Sequence, residues 1–380
     1  MSARLRLALV AGEHSGDQLG FKLMRALKAQ TGGAVEFAGV GGEAMEREGL
    51  ESYFPMSDIA VMGILPVLAR LPSLLRRIRE TADRIVAERP DGLVIIDSPD
   101  FTHRVARRVR AALPGLPVVD YVSPSVWAWR PGRARRMRAY VDRVLALLPF
   151  EPEAHRRLGG PDCVYVGHPL IERLDELRPG EARVPNRVVV LPGSRRAVIR
   201  RLSPDFGAAL GLVAQALGPL DVVLPTLPHV EALVRESVAG WPVPTRLVVG
   251  EAEKFRAFAS ARAALAASGT VTLELALAGT PLVGAYKVSK LEEQAKYFIK
   301  VPSILLPNLI LERRVLPELV QQDCTPDKLA AALVALMRDG PERAAQVAAL
   351  AELDERMQLP GGVAPSEAAA AAVLETVRGR

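Results

Sequence analysis

Pro117–Arg130 reads PVVDYVSPSVWAWR. Its opening run, Pro117–Val122, has the pattern of a buried strand, and Ser123-Pro124 breaks it. Two of the chain's three tryptophans, Trp127 and Trp129, follow the break, although aromatic residues make up only 5% of the sequence. In an open α/β sheet, ligands sit beyond the carboxyl ends of the strands. Tryptophan at such a point offers a flat apolar face with one N–H, suited to a sugar ring or an acyl chain. Spacing alone equally allows the pair to cap a core.

Outward from this strand the same unit repeats. Strand-like runs occur at Leu5–Val10, Val35–Val40, Leu93–Asp97, Val144–Leu148 and Cys163–Val166, with helical patterns between them, the longest from Leu65 to about Glu88. Leu170–Pro185 carries Pro, Gly and charge and reads as a linker. The second half gives strands at Val188–Leu191, Asp221–Leu224, Arg246–Val249, Ala263–Ala267 and Pro281–Ala285. Ser203-Pro204, Thr325-Pro326 and Ser366 are N-cap candidates, the first two with proline at N1. Alternation in both halves predicts an α/β protein of two parallel-sheet domains facing a cleft. The expected domains are residues 1–180 and 186–355, with an Ala-rich helical tail over 356–380.

Composition sets bounds on function. At 380 residues the chain suits two cores, and 49% hydrophobic with 24% charged residues describes a folded globular protein. Cys163 and Cys324 have no metal-ligand spacing and cannot form a disulfide framework, which fits a reducing cytoplasm. The apolar run after Arg4 and Arg6 ends at Glu13 and reads as a first strand rather than a signal peptide. No stretch is long and apolar enough to span a membrane. The net charge of +6 is mostly arginine, clustered at 70–79, 130–138 and 195–201. No zinc-finger spacing, RNP-type motif or basic zipper accompanies it, so no nucleic-acid partner is expected. Gly39-Val40-Gly41-Gly42-Glu43-Ala44 satisfies a dinucleotide fingerprint formally, but it follows the second strand and lacks a clear partner acid. No P-loop, nucleophile elbow or zincin motif occurs, and no D-x-D pair is present to hold a metal on a diphosphate.

A series of short motifs runs along the chain in order. These are AGEHSGD (Ala11–Asp17), GVGGEAM (Gly39–Met45), AVMG (Ala60–Gly63), IDSPDF (Ile96–Phe101) and the tryptophan stretch. LPFEPE (Leu148–Glu153), VGHP (Val166–Pro169), VLPGSR (Val190–Arg195), ASGTVTLE (Ala267–Glu274) and LPNLI (Leu306–Ile310) follow. Together they resemble the lipid-A-disaccharide synthases, inverting glycosyltransferases of GT-B type with two Rossmann-like domains. The resemblance spans roughly residues 5 to 325 and is specific as a set, although each motif alone is weak.

The resemblance implies a reaction of UDP-2,3-diacylglucosamine with 2,3-diacylglucosamine 1-phosphate, giving a β-1,6 disaccharide phosphate and UDP without a cofactor. Gly12, Ser15 and Asp17 belong to the loop after the first strand, which suits phosphate and in the resemblance helps bind the lipid acceptor. Ser15 and Asp17 also fit as helix caps. Trp127 and Trp129 complete the acceptor set. Asp97, at a strand end, is the candidate general base, with Asp100 as the alternative and helix capping as a purely structural role. Gly193, Ser194 and Arg195 are expected at the UDP diphosphate. Ser268, Gly269 and Thr270 suit a pyrophosphate oxygen at a helix N-terminus. Glu274 suits the ribose hydroxyls, and Asn308 matches a functional asparagine of the family. A core helix with an N-cap and a turn residue are the plain alternatives for these. Val198 stands where the family usually has a glutamate.

Gly63–Glu80 interleaves Leu65, Leu68, Leu71, Leu74 and Leu75 with arginines, divided by Pro66 and Pro72. Leucines entering the acyl boundary and arginines meeting anionic headgroups would make an interfacial helix, and packing against the sheet is the rival. The expected location is cytoplasmic, peripheral on the inner face of the cytoplasmic membrane, with a homodimer left open. Rival functions are another UDP-sugar enzyme of this fold, such as a peptidoglycan glycosyltransferase or an epimerase, and a basic binding protein.

Overall fold

The computed structural model describes residues 4–59, 64–288 and 301–379, without the side chains of 64–70. The AVMG motif at 60–63 and the side chains of Leu65 and Leu68 lie outside what is described. The chain divides into two compact units, Met1–Pro169 with Leu359–Arg380, and Leu170–Gln358.

Seven parallel strands form the first unit: β1 Leu5–Ala11, β2 Val35–Val40, β3 Leu50–Ser52, β4 Gly92–Ile96, β5 Val118–Tyr121, β6 Arg143–Ala146 and β7 Asp162–Tyr165. Their order is β3-β2-β1-β4-β5-β6-β7, with Val10 opposite Ile95 and Ile96 opposite Tyr121. β4 and the Leu7–Ala11 part of β1 are unbroken apolar runs because helices cover both faces, whereas β5 buries one charged residue, Asp120. Its helices are α1 His14–Gln30, α2 Glu43–Arg47, α3 Ile64–Glu88, α4 Pro99–Ala112, α5 Gly132–Met137 and α6 Glu151–Arg157. Leu19, Leu23 and Leu27 of α1 pack on Leu7, Leu9, Val94 and Ile96. On the other face α3, α4 and α5 pack against Ala8, Val10, Leu93 and Ile95.

The second unit has six parallel strands: β8 Arg187–Leu191, β9 Asp221–Thr226, β10 Thr245–Val249, β11 Ala263–Ala267, β12 Leu282–Tyr286 and β13 Glu318–Val320. They run in the order β10-β9-β8-β11-β12-β13. Helices are α7 Leu174–Leu177, α8 Arg196–Leu217, α9 Glu231–Val238, α10 Glu251–Ser260, α11 Thr270–Leu277, α12 Leu306–Leu311, α13 Pro326–Met337 and α14 Pro341–Met357. α8 and α13 bury Val188, Val190, Ala263 and Leu265 on one sheet face. The last helix, α15 Pro365–Arg378, belongs to the first unit, where Ala369, Ala370 and Val373 pack beside α1. Strand order reverses beside the first strand of each sheet, between β1 and β4 and between β8 and β11. These two switch points are where an open α/β sheet receives ligands.

Several local expectations change. Residues 170–185, expected as a linker, carry a short 3₁₀ turn and α7 and count with the second unit, while the tail folds back on the first. Ser203-Pro204 does not start a helix: α8 begins at Arg196 and runs through Pro204. Ile199, Leu202, Phe206, Leu210 and Val213 are buried along one stripe, and that packing carries the helix past the lost N–H. Ser366 is not a cap either, since Pro365 opens α15 and Ala364 precedes it. Thr325 does flank α13 in extended conformation, without a side-chain capping bond. α3 is a single helix through Pro72.

Candidate active site

At the switch point of the first unit, the β1–α1 and β4–α4 loops touch. Asp97 and Ser98 both adopt left-handed backbone, at φ 54° and 44°. A Cβ on Gly12 would lie 2.5 Å from Cβ of Ser98, so only glycine lets the loops meet. Asp97 is half-buried. Its Oδ1 accepts from the Ser98 amide at 2.7 Å and its Oδ2 from Ser15 Oγ at 3.0 Å. Thr102 Oγ1 donates to the Asp97 carbonyl at 2.7 Å, and the Asp97 amide donates to Tyr121 O at 3.0 Å. The carboxylate is therefore fixed at the strand end rather than capping α4. Asp100 is exposed in the first turn of α4, with Arg133 at 3.5 Å. A cavity of about 870 Å³ adjoins the β1–α1 loop, lined by His14 and Gln18 with Phe54, Pro55 and Met56.

Asp17 borders the same cavity, but its carboxylate is engaged by backbone amides. It is 2% exposed and accepts from the amides of Gly42 at 2.9 Å, Ala44 at 3.1 Å and Met45 at 3.1 Å. It thus caps α2 from a neighbouring helix. That also explains GVGGEA: an anion already occupies the α2 N-terminus, where a pyrophosphate would have to sit. Gly39 meets a packing need instead, since a Cβ there would lie 1.9 Å from Leu9 O.

The two tryptophans part company. Trp127 is half-buried, edge-on to Phe150 with centroids 5.1 Å apart, and its Nε1 donates to Glu151 at 3.0 Å. Trp129 is 46% exposed, with the Arg130 guanidinium 4.1 Å above its ring.

In the second unit the β8–α8 and β11–α11 loops border a cavity of about 450 Å³. Gly193, Ser194, Gly269 and Thr270 line it, with Lys254 and Glu274 deeper in. Gly193 takes φ 110°, and beneath it Val198 is buried in the core, its methyl 3.1 Å from where a Gly193 Cβ would be. The position the family gives to glutamate is thus a packing position here. Thr270 opens α11, so free amides and the helix dipole point into the cavity. Arg195 immediately precedes α8, is exposed and makes no ion pair among the described residues. Lys254 Nζ lies 3.1 Å from Glu274 Oε1 and 3.0 Å from Oε2. No motif marks Lys254 in the sequence.

Two expected donor residues have other duties. Asn308 is buried, and its side chain accepts from the amides of Val315 and Leu316 at 3.0 Å each and donates to Leu316 O and Glu318. It holds the loop before β13 and has no group left for a ligand. Ser268 Oγ donates to Ile304 O at 2.7 Å, which leaves Gly269 and Thr270 as the phosphate-facing pair.

On α3, Leu71 and Leu75 are 41% and 38% exposed, whereas Leu74 packs against the core. Both lie on the same helical face as Ile78, Ala82 and Ile85, at its N-terminal end, where that apolar stripe is left exposed. No helix among the described residues is long and apolar enough to cross a membrane, and no cluster of potential metal ligands is found among them.

The fold is found in solved structures of about the same length. Acinetobacter baumannii MurG superposes with a TM-score of 0.60 at 14% identity, covering 99% of this chain and 100% of that one. CalG4, the calicheamicin glycosyltransferase, gives 0.59 at 17% identity, covering 100% and 99%. The fold is therefore that of the GT-B glycosyltransferases. The family model "Lipid-A-disaccharide synthetase" matches residues 7–371. The chain is 54% identical over 380 residues to the lipid-A-disaccharide synthase of Bradyrhizobium diazoefficiens, covering 98% of this chain and 97% of that one. It is 55% identical over 379 residues to that of Nitrobacter hamburgensis, covering 98% and 96%. The chain belongs to the lipid-A-disaccharide synthase family, glycosyltransferases of lipid A biosynthesis. The epimerase, peptidoglycan and basic-binder readings are set aside.

Proposed function

We propose that the first unit binds 2,3-diacylglucosamine 1-phosphate and the second binds UDP-2,3-diacylglucosamine. The acceptor 6-hydroxyl attacks the anomeric carbon, forming the β-1,6 bond while the bond from that carbon to the diphosphate oxygen breaks with inversion. The hydroxyl proton passes to Asp97, and the electron pair leaves with UDP. Arg195 and the amides of Gly193, Ser194, Gly269 and Thr270 hold the departing diphosphate. Glu274 takes the ribose hydroxyls, and no metal takes part.

The observation that carries this reading is the pairing of chemistry with topology. A fixed carboxylate sits at one switch point, and a glycine loop, a helix N-terminus and an unpaired arginine sit at the other. The cavity beside the β1–α1 loop has room for part of a lipid sugar, and Trp127, which does not line it, is assigned to the acceptor by its place after β5. Exposed Leu71 and Leu75 with nearby arginines suit attachment to the inner face of the cytoplasmic membrane, where the diacyl substrates reside. The test is mass spectrometry of a reaction with both acylated sugars, in EDTA, alongside UDP titration of Arg195→Ala. Formation of the disaccharide phosphate and weakened UDP binding are expected. Turnover that EDTA stops and magnesium restores would sink the metal-free route.

A further inference from the structure

LPFEPE stands out in the sequence, yet the reaction uses none of it. Its Glu151 is 3% exposed and accepts three hydrogen bonds. Trp127 Nε1 reaches Oε1 at 3.0 Å, while the amides of Leu147 and Leu148 reach Oε2 at 3.1 and 3.0 Å. One carboxylate thus ties the loop after β5 to the loop after β6. We propose that Glu151 is a positioning residue: it holds the indole of Trp127, and with it the wall that Trp127 presents to the acceptor sugar. This rests on the reading that Trp127 lines the acceptor site.

The geometry leaves Trp127 few alternatives. Its ring is braced edge-on by Phe150, and the bond from its N–H to Glu151 is the side-chain hydrogen bond that orients the indole among the described residues. Around Glu151 stand Asp120 of β5, His155 of α6, and Cys163 and Tyr165 of β7. His103 of α4 lies 3.1 Å from Asp120. Ser123 Oγ is 2.8 Å from His155 Nε2, and burial lowers the His155 pKa and keeps the ring neutral. No cation among these neighbours hydrogen-bonds Glu151, and burial pushes its carboxyl up to about 7. The charge that grips the indole therefore changes near neutrality.

Glutamine at 151 has one acceptor oxygen. If that oxygen serves the two backbone amides, its NH2 faces the indole N–H and the grip on Trp127 is lost. The ¹⁵N-labelled full chain has three tryptophans, so three indole N–H resonances are expected, and Trp127→Phe identifies which one is Trp127. In the unmutated chain that resonance should titrate with a midpoint near 7, and in Glu151→Gln it should stay fixed between pH 6 and 8. The acceptor KM of Glu151→Gln should rise about fivefold, the weight of one net hydrogen bond, with UDP affinity unmoved. A flat Trp127 resonance in the unmutated chain overturns the proposal, and so does a titration that persists in Glu151→Gln, since His155 would then be its source. An unchanged acceptor KM in Trp127→Phe, together with the expected titration in the unmutated chain, would locate the failure in the acceptor reading instead. The resonance measurement on the unmutated chain stands even where Glu151→Gln fails to fold.

Discussion

Glu151→Gln should change the pH dependence of stability, and the size of the change follows from the structure. Burial is the largest influence on Glu151 and raises its pKa from 4.5 to about 7, while hydrogen bonds from Trp127, Leu148 and Leu147 pull the other way. Between those two values the folded chain keeps a proton that the unfolded chain has released. The contribution is therefore fully present below the unfolded value and is lost as pH rises through about 7. At about 1.4 kcal/mol per unit, the native chain should lose roughly 2–3 kcal/mol from this group between pH 5 and 8. Glutamine does not titrate, and its misplaced NH2 costs the same at every pH. Thermal unfolding of both proteins at pH 5, 6, 7 and 8 isolates the difference from every other titrating group. The variant should trail most at pH 5 and regain about 5–10 °C relative to the native chain by pH 8. Melting curves that stay parallel across the range would refute the buried-carboxyl account.

Asp97→Asn should lower turnover by about 10²- to 10⁴-fold with UDP affinity unchanged, and a variant that keeps most of its rate places the base elsewhere. Gly39→Ala should unfold the first unit or cost it roughly 3 kcal/mol or more, because its Cβ meets the β1 backbone. Gly32→Ala, where nothing lies within 4 Å, should cost far less despite its φ of 61°, and equal melting losses would contradict the packing argument. Leu71→Ser with Leu75→Ser should release the protein from anionic vesicles without moving the melting temperature, since both side chains are exposed. Unchanged vesicle binding would return these leucines to ordinary surface.

Strands were legible wherever burial on both faces wrote a continuous apolar run, as in β1, β4 and β11. β3 and β13, of three residues each, are too short to show a period. Ser203-Pro204 has the local pattern of a helix start, but the buried stripe that carries α8 through it outweighs that pattern. Site residues split in the same way. Gly193, Thr270 and Asp97 stand out as candidates because each follows a strand end at a switch point. Asp17 and Asn308 carry the right chemistry in the first turns of α1 and α12, but whether a polar group faces a ligand or a backbone amide is a three-dimensional fact. The Trp127–Glu151 bond joins residues 24 apart, and nothing in either motif alone announces it.

The two switch points also differ in a way that fits the tasks proposed for them. In the second unit the tight turn after β8 falls on Gly193, which takes positive φ without strain and leaves its amides open. A phosphate cradle needs no more than that. In the first unit the turn after β4 falls on Asp97 and Ser98, two residues with side chains in left-handed backbone, at about 1–3 kcal/mol each. Glycine at 97 would relieve that strain but remove the carboxylate. Such strain persists only where the surroundings enforce it, and here they do: Tyr121 O, Thr102 Oγ1, the Ser98 amide and Ser15 Oγ all hold Asp97. Gly12 supplies the relief from across the loop, by having no Cβ where Ser98 must pass. A strained aspartate opposite an obligatory glycine is the arrangement expected where a side chain, rather than the backbone, meets the substrate.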